Sequence, residues 1–486
     1  MKIPANLREL IEQGEIGRGP YLAIGLILTA LKYGIDASVA YLVFSRTWTP
    51  WDYLISGSTL STVWRFPEDQ SFFLTLFAIS IPFVAIGVML TLARLRSADA
   101  NPWMVILFFL PVANLVLISV LVVVEPSRTA FEKPPDPIPQ SKPISPSASN
   151  TLSYGTDTPA PDSFFRRIFP ESRRGSAWVA ATLTAAIAVL MTWLSVEVLA
   201  SYGWGVFVLL PFLSGLISSV LFGIRHPRSL KDCLAVASLT ILILAAAVIL
   251  AAIDGAVCVL MYLPLAIPIS LLGACVGYSF QRGPLRTGGA GAVIAILLAM
   301  MPLFLGAERA AHPRAPVFRV VTSCDIDAPP QRVWQNVIAF SEIPPPTEWI
   351  FRAGVAYPIR AVIDGRGVGA VRHCVFSTGE FVEPITAWQA PRLLKFNVTS
   401  DPPPMKEWSP YDIHPPHVHD FLISFGGQFR LIPLPGGRTR LEGTTWYEHN
   451  MWPASYWRLW SDFLIHRIHR RVLEHIKQIS ESQHQI

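Results

Sequence analysis

The chain has 486 residues, 51% of them apolar and 15% charged, with a formal net charge of +5 and a mean hydropathy of +0.42. A soluble protein of this size carries roughly a quarter charged residues, so the composition excludes an ordinary soluble globule and places the chain in the membrane class. The positive charges lie mainly in loops between apolar runs, the pattern of membrane topology and not of nucleic-acid binding. The N-terminal stretch MKIPANLRELIEQGEIGRG lacks the compact apolar core of a cleaved signal peptide, and the first span is read as an uncleaved signal anchor.

About 20 apolar residues cross a bilayer as a helix. Eight runs qualify, at 20–43, 71–93, 103–124, 177–199, 204–223, 233–253, 255–279 and 288–306. The sixth and seventh are separated only by Asp254 and Gly255, which predicts a tight hairpin. The first carries Lys32 and Asp36 one turn apart, read as a self-neutralising pair between helices in preference to an ion site. Cys233, Cys258 and Cys275 fall inside runs, where a free thiol behaves as a small hydrophobe. With no CxxC anywhere, a zinc-ribbon or redox motif is excluded. Residues 125–176 are rich in Pro, Ser and Thr and cannot bury a core, which predicts a flexible linker. It divides a three-helix membrane unit, 1–124, from a five-helix unit, 177–307.

The first unit carries Gly17-Arg18-Gly19-Pro20-Tyr21 before its first helix. Arg94-Leu95-Arg96-Ser97-Ala98-Asp99 and Pro102-Trp103 precede its third, and Pro134-Pro135-Asp136-Pro137 lies in its tail. Together these resemble the bacterial inner-membrane family called domain of unknown function 805. Glu15, Gly19 and the absence of His from the second motif depart from the family pattern. The resemblance implies a bacterial inner-membrane location and no activity.

Cytoplasmic loops are enriched in Lys and Arg. Arg18, Arg94 and Arg96 put the N-terminus inside. Arg166, Arg167, Arg173, Arg174, Arg225, Arg228, Lys231, Arg282 and Arg286 put the linker inside as well. With three spans between them the two statements conflict, and the stretch 233–279 is where a helix count is most open. The stronger set is that of the second unit, which places the C-terminal domain outside.

From 316 the pattern becomes that of a water-facing α+β domain, ending near 482 and expected to fold independently. PVFRVVTSCDIDAPP reads as a strand, and Val333, Trp334, Val337 and Ile338 form one face of a helix begun at or near Pro330. Strands follow at 357–363, 368–377, 383–389, 392–399, 420–432 and 438–448, with turns at Asp364-Gly365 and Pro435-Gly436-Gly437. A long amphipathic helix, about 454–480, carries Trp457, Trp460, Leu464, Ile468, Val472, Ile476 and Ile479.

This order resembles the SRPBCC superfamily, the START-like helix-grip fold of polyketide cyclase/dehydrase proteins. The residues that carry the likeness are Ile326-Asp327-Ala328-Pro329, Val333-Trp334, Gly365 to Ala370, Gly379 to Ile385, Trp388 to Phe396 and Gly437 to Thr444. The resemblance implies an antiparallel sheet wrapped on the C-terminal helix with an apolar cavity between them. Expected ligand-binding residues are Trp457 and Trp460 at the mouth or floor, Leu394, Phe396 and Leu441 on the walls, and Arg372 with Glu383 as polar orienters. Arg372, Cys374 and Phe376 share one strand face and His373 lies on the other; which face lines the cavity is left open.

His414, His417 and His419 in HPPHVHD are metal-ligand types, but lie in a Pro-rich loop without known ligand spacing and are read as loop histidines. His466 and His469, beside Arg467, Arg470 and Arg471, are read as part of a solvated basic stripe. No phosphate loop, nucleophile elbow or HExxH occurs, and no catalytic residue, metal or cofactor is expected. The reading is a multi-pass inner-membrane protein whose C-terminal domain binds an apolar small molecule or lipid. The alternatives are a cyclase/dehydrase-type enzyme in the same cavity, or a sensing module that signals to the helices.

Overall fold

The computed structural model describes residues 15–50, 53, 67–98, 100–109, 111–123, 169–282, 290–311, 315–411, 413 and 422–482. The helical part comprises α1 (Arg18–Phe44), α2 (Pro67–Ser97), a 3-10 segment (Pro102–Phe109), α3 (Pro111–Val123), α4 (Arg173–Trp193), α5 (Leu210–Phe222), α6 (Leu230–Leu250), α7 (Ala256–Arg282) and α8 (Ala290–Ala311). Single π-turns at Leu194–Val198 and Gly205–Leu209 flank the connection from α4 to α5. Among the described residues, six helices are long and apolar enough to cross a membrane: α1, α2, α4, α5 with its π-turn, α6 and α7. The 22-residue α8 is about 33 Å long at ~1.5 Å per residue.

The expected third span, 103–124, is not one helix. The 3-10 segment climbs α2 until Phe108 packs where a side chain on Gly87 would sit. Pro111 then opens α3, which returns to the level where Arg94 Nε donates to the Leu121 carbonyl at 3.0 Å. Ile16 N also donates to Ser97 Oγ at 2.8 Å, so the chain on both sides of this hairpin meets the basic end of α1 and α2. A 13-residue helix reaches only about 20 Å, short of the ~30 Å core of a bilayer. Lys32 and Asp36 form the expected i,i+4 pair, and the Tyr53 hydroxyl also donates to Asp36.

In the second unit α5 is central, with 94% of its membrane-length window buried. It meets α7 backbone to backbone, because a Cβ on Gly215 would overlap the Ser270 carbonyl and one on Gly273 the Phe212 carbonyl. Small residues permit this approach where no water drives helices together. Glu308 of α8 accepts from Trp204 N at 2.6 Å and Gly205 N at 3.1 Å, satisfying orphan donors where the chain re-enters toward α5.

The C-terminal part holds β1 (Val317–Ile326), α9 (Pro330–Ile338), α10 (Trp349–Arg352), β2 (Pro358–Asp364), β3 (Val371–Phe376), β4 (Gly379–Gln389), β5 (Leu393–Asn397), β6 (Leu422–Leu434), β7 (Arg438–His449) and α11 (Ala454–Ser482). The seven strands form one antiparallel sheet in the order β1-β7-β6-β5-β4-β3-β2, curled around α11. Turn glycines at 436 and 437 take φ of 80° and 76°, as the β6–β7 hairpin demands. Pro330 opens α9, whose Val333, Trp334 and Val337 are buried against Leu394, Leu431, Leu441 and Ile476. That end of the grip is therefore filled.

The open end of the grip is closed by the helical bundle. Trp457 joins the hydrophobic cluster of the helical bundle, its ring 4.7 Å from Phe207. Phe351, Val355, Met405 and Leu464 pack with Cys258. Main-chain bonds tie the two parts together: Trp452 N to Tyr202 O and Ala256 N to Trp408 O, both 2.9 Å. The mouth of the grip thus packs against the helices, while its inner cluster, from Cys324 to Ile479, is made of its own residues alone. The physical reason is that a half-closed grip exposes its apolar mouth unless something covers it.

Candidate functional site: a cavity shared by the bundle and the grip

One cavity of about 250 Å³ extends from between α5, α6 and α7 into the space between the sheet and α11. On the bundle side its wall includes Phe207, Ile241, Leu244 and Tyr262; on the grip side it includes Arg372, Cys374, Glu383, Phe396 and Phe429. Helix α11 runs along it from Trp457 to Leu473, about 24 Å at ~1.5 Å per residue. Residues Pro402 to Met405, from the connection between β5 and β6, cover one side. The glycine pair at 426 and 427 makes room, since a Cβ on Gly427 would overlap the Phe396 ring.

Of the expected residues, Trp457, Trp460, Phe396, Arg372 and Glu383 line this cavity. Leu394 and Leu441 do not: both are 0% exposed, in the core under α9. They share the inner face of the sheet with Phe396, but α9 fills the space above them. Trp457 is 4% exposed and belongs to the bundle core, while Trp460 is only partly buried. The open question of the β3 face resolves in favour of Arg372, Cys374 and Phe376, which point inward. His373 lies on the outer face, 3.7 Å from both Asp364 and Glu380.

Arg372 is 1% exposed and forms an ion pair with Glu383 directly opposite on β4. Its Nε donates to the Ile338 carbonyl at 3.2 Å. The guanidinium lies 5.5 Å from the Phe340 ring, 5.8 Å from Phe396 and 5.5 Å from Phe429, three cation–π contacts at once. Burial pushes the Glu383 carboxyl up, and the Arg372 guanidinium opposes that push.

His469 corrects the expectation of a solvated stripe. Its Nδ1 meets Thr322 Oγ1 at 3.0 Å and its Nε2 meets Thr445 Oγ1 at 2.8 Å, and it lines the cavity. Burial, then the neighbouring His466, pushes it down to about 3, so it is neutral at physiological pH. The threonines of β1 and β7 were the available signal, as hydroxyls on an inward face need partners. His466 Nδ1 also reaches Thr322 Oγ1, at 2.7 Å. At the junction, ligand atoms of Asp254, Cys258 and Glu407 lie within 4.8 Å of one another, a set that could hold a metal ion. Asp254 is pushed up to about 7 by burial. His414, His417 and His419 lie outside the described residues.

No family model matches the chain, and no curated protein matches it. The resemblance of residues 1–124 to domain of unknown function 805 is therefore unsupported, in line with the departures at Glu15, Gly19 and the missing His. Among solved structures the chain is similar to the Zhui aromatase/cyclase from Streptomyces sp. R1128, with 13% identity over 35% of this chain and 96% of that one, TM-score 0.24. It is similar to truncated norcoclaurine synthase from Thalictrum flavum, with 9% identity over 35% and 96%, TM-score 0.23. A protein of Nitrosospira multiformis shows 18% identity over 35% and 100%, TM-score 0.22. At these scores the likeness carries no weight; the helix-grip description rests on strand order and the placement of α11.

Proposed function

We propose that this protein is a membrane-embedded binding protein for an apolar small molecule or lipid, held in the cavity shared by the bundle and the grip. The observation that carries this is the continuity of the cavity. Its walls pass from the apolar helices to the sheet through mostly apolar side chains, with Asp254 and Cys258 at one side of the junction, so an apolar molecule can reach both parts of one cavity. The membrane part then supplies half of the binding site, beyond simple anchorage. The enzyme reading is weaker because the titratable groups deepest in the grip are committed: Arg372 to Glu383, and both nitrogens of His469 to threonines.

Native mass spectrometry of the full chain, purified in detergent and then stripped with organic solvent, should show a co-purifying apolar molecule. Trp460→Ala, which enlarges the cavity wall from a partly buried position, should reduce its occupancy several-fold at nearly unchanged stability. An empty wild-type protein after mild purification would sink the reading.

Residues 102–123 as a re-entrant hairpin, and α8 as a further crossing, remove the conflict in the distribution of basic residues. The 3-10 segment satisfies its own backbone, buries Met104 and Leu107 against the neighbouring helices and turns the apolar Trp103, Ile106 and Phe109 outward, as a re-entrant segment in lipid requires. With that count, Arg18, Arg94, Arg96, Arg173, Arg174, Arg225, Arg228, Lys231 and Arg282 all fall on one side. The grip falls on the other, beside the 199–204 and 251–255 connections. We place that side outside the cytoplasm of a bacterial-type inner membrane. A reporter fused after residue 123 should be active only in the cytoplasm, and one at the C-terminus only outside. Opposite sides for residues 17 and 123 would restore a third full span.

A further inference from the structure

The strongest unassigned feature is a buried donor at the inner end of the cavity. Arg372 spends Nε on Ile338 and Nη1 on Glu383, but its Nη2 is buried with no hydrogen-bond partner among the described residues. Its neighbour on the same strand face, Cys374, interacts with the guanidinium through its sulfur, a weak acceptor. A buried guanidinium N–H left unmade is costly, and native proteins rarely leave one without a partner. An acceptor from a bound molecule would remove that cost.

The position of this donor orients the molecule. A Cβ on Gly443 would lie 3.7 Å from both the Leu473 and Phe429 side chains, and Arg372 lies 5.5 Å from the Phe429 ring. Arg372 is therefore at the Leu473 end of the cavity. The opposite end, at Trp457 and Phe207, is aromatic and belongs to the bundle. A volume of about 250 Å³ drawn out along α11 suits an elongated molecule.

Charge selects the kind of acceptor. Glu383 already neutralises Arg372, so a ligand carboxylate would set two negative charges against one guanidinium in a low-dielectric site. A neutral oxygen accepts from Nη2 without that repulsion. Resting on the binding reading above, we propose that the cavity holds an elongated amphiphile with a neutral carbonyl or hydroxyl oxygen against Arg372 and its hydrocarbon part running along α11 toward the membrane helices.

The test uses the full chain in lipid nanodiscs and four probes of equal chain length: dodecane, dodecanol, dodecan-2-one and dodecanoate, with partition into protein-free nanodiscs subtracted. Dodecanol and dodecanone should bind about 10-fold or more tighter than dodecane, the scale of one hydrogen bond to a charged donor. Dodecanoate, at a pH where it is ionised, should bind no better than dodecane. The double variant Arg372→Leu/Glu383→Leu should bring alcohol and ketone to the affinity of the hydrocarbon. A ketone probe with a photoreactive group at its tail should cross-link to peptides containing Phe207, Tyr262 or Trp457. Equal binding of oxygenated and hydrocarbon probes, preference for the carboxylate, or tail cross-links to β3 and β4 would overturn the orientation and acceptor while leaving the binding reading intact. Failure of all four probes to bind would overturn both.

Discussion

Arg372→Leu alone is expected to destabilise the protein by about 3–5 kcal/mol, because it strands the Glu383 carboxylate, 6% exposed, without its cation. The loss should be smaller at low pH. With the guanidinium gone, burial raises the folded-state carboxyl further above its unfolded value. A group raised in this way contributes stability that is present below the unfolded pKa and lost as pH rises through the folded one. Arg372→Leu should therefore melt closer to wild type near pH ~5 than near pH ~8. Removing both charges, as in Arg372→Leu/Glu383→Leu, should recover most of the stability, since a buried pair replaced by apolar side chains of similar size is often nearly neutral. Thermal unfolding of the purified full chain, followed by tryptophan emission, measures this. Equal damage from the single and double variants would mean that the pair is fixed by packing rather than by charge.

The second large effect is expected at the crossing of α5 and α7. Gly273→Leu places a side chain where the Phe212 carbonyl and Leu216 amide now lie. The overlap is already at Cβ, which no rotamer moves, so the two helices must separate. Overpacking of a close interface costs about 1–3 kcal/mol and more where backbone is met directly. Because α5 is the central helix of the unit, the variant should lose its monodisperse peak in size-exclusion chromatography. Gly306 on α8 has nothing within 4 Å of its Cβ position. Gly306→Ala should behave as wild type or slightly better, a helical glycine being roughly 1 kcal/mol worse than alanine. A Gly273→Leu protein that elutes and melts normally would show that the close crossing is not required.

Strand alternation and turn glycines placed six of the seven strands to within a few residues, except that β4 begins at Gly379 rather than 383. They also placed α11, because period and turn chemistry are local properties. Inside the cavity the same logic ran out. Leu394 and Phe396 are two apart on one strand and share a face, yet only Phe396 reaches the cavity. Whether α9 lies above one or the other is a matter of how a helix packs, and no periodicity records it.

The run 103–124 shows the same boundary from the membrane side. Its length and apolarity satisfy a span. Pro111 in its middle was the one local sign of a break, and the reversal itself is made by contacts to Gly87 and Leu121 that lie far apart in sequence. Trp457 looked like the first residue of a cavity-facing stripe and is also part of the bundle core.

What the sequence determined by itself is therefore the solvent of each segment: which runs can sit in lipid, where water-facing structure begins, and which strand faces are apolar. Burial preference is written residue by residue. Only the tertiary structure decided that the grip is left open at the end facing the bundle, that the bundle completes the cavity, and that a paired arginine with an unused donor sits at its far end. Those facts depend on surfaces contributed by segments more than a hundred residues apart, such as Phe207 and Trp457, whose meeting is fixed by packing and not by any local pattern.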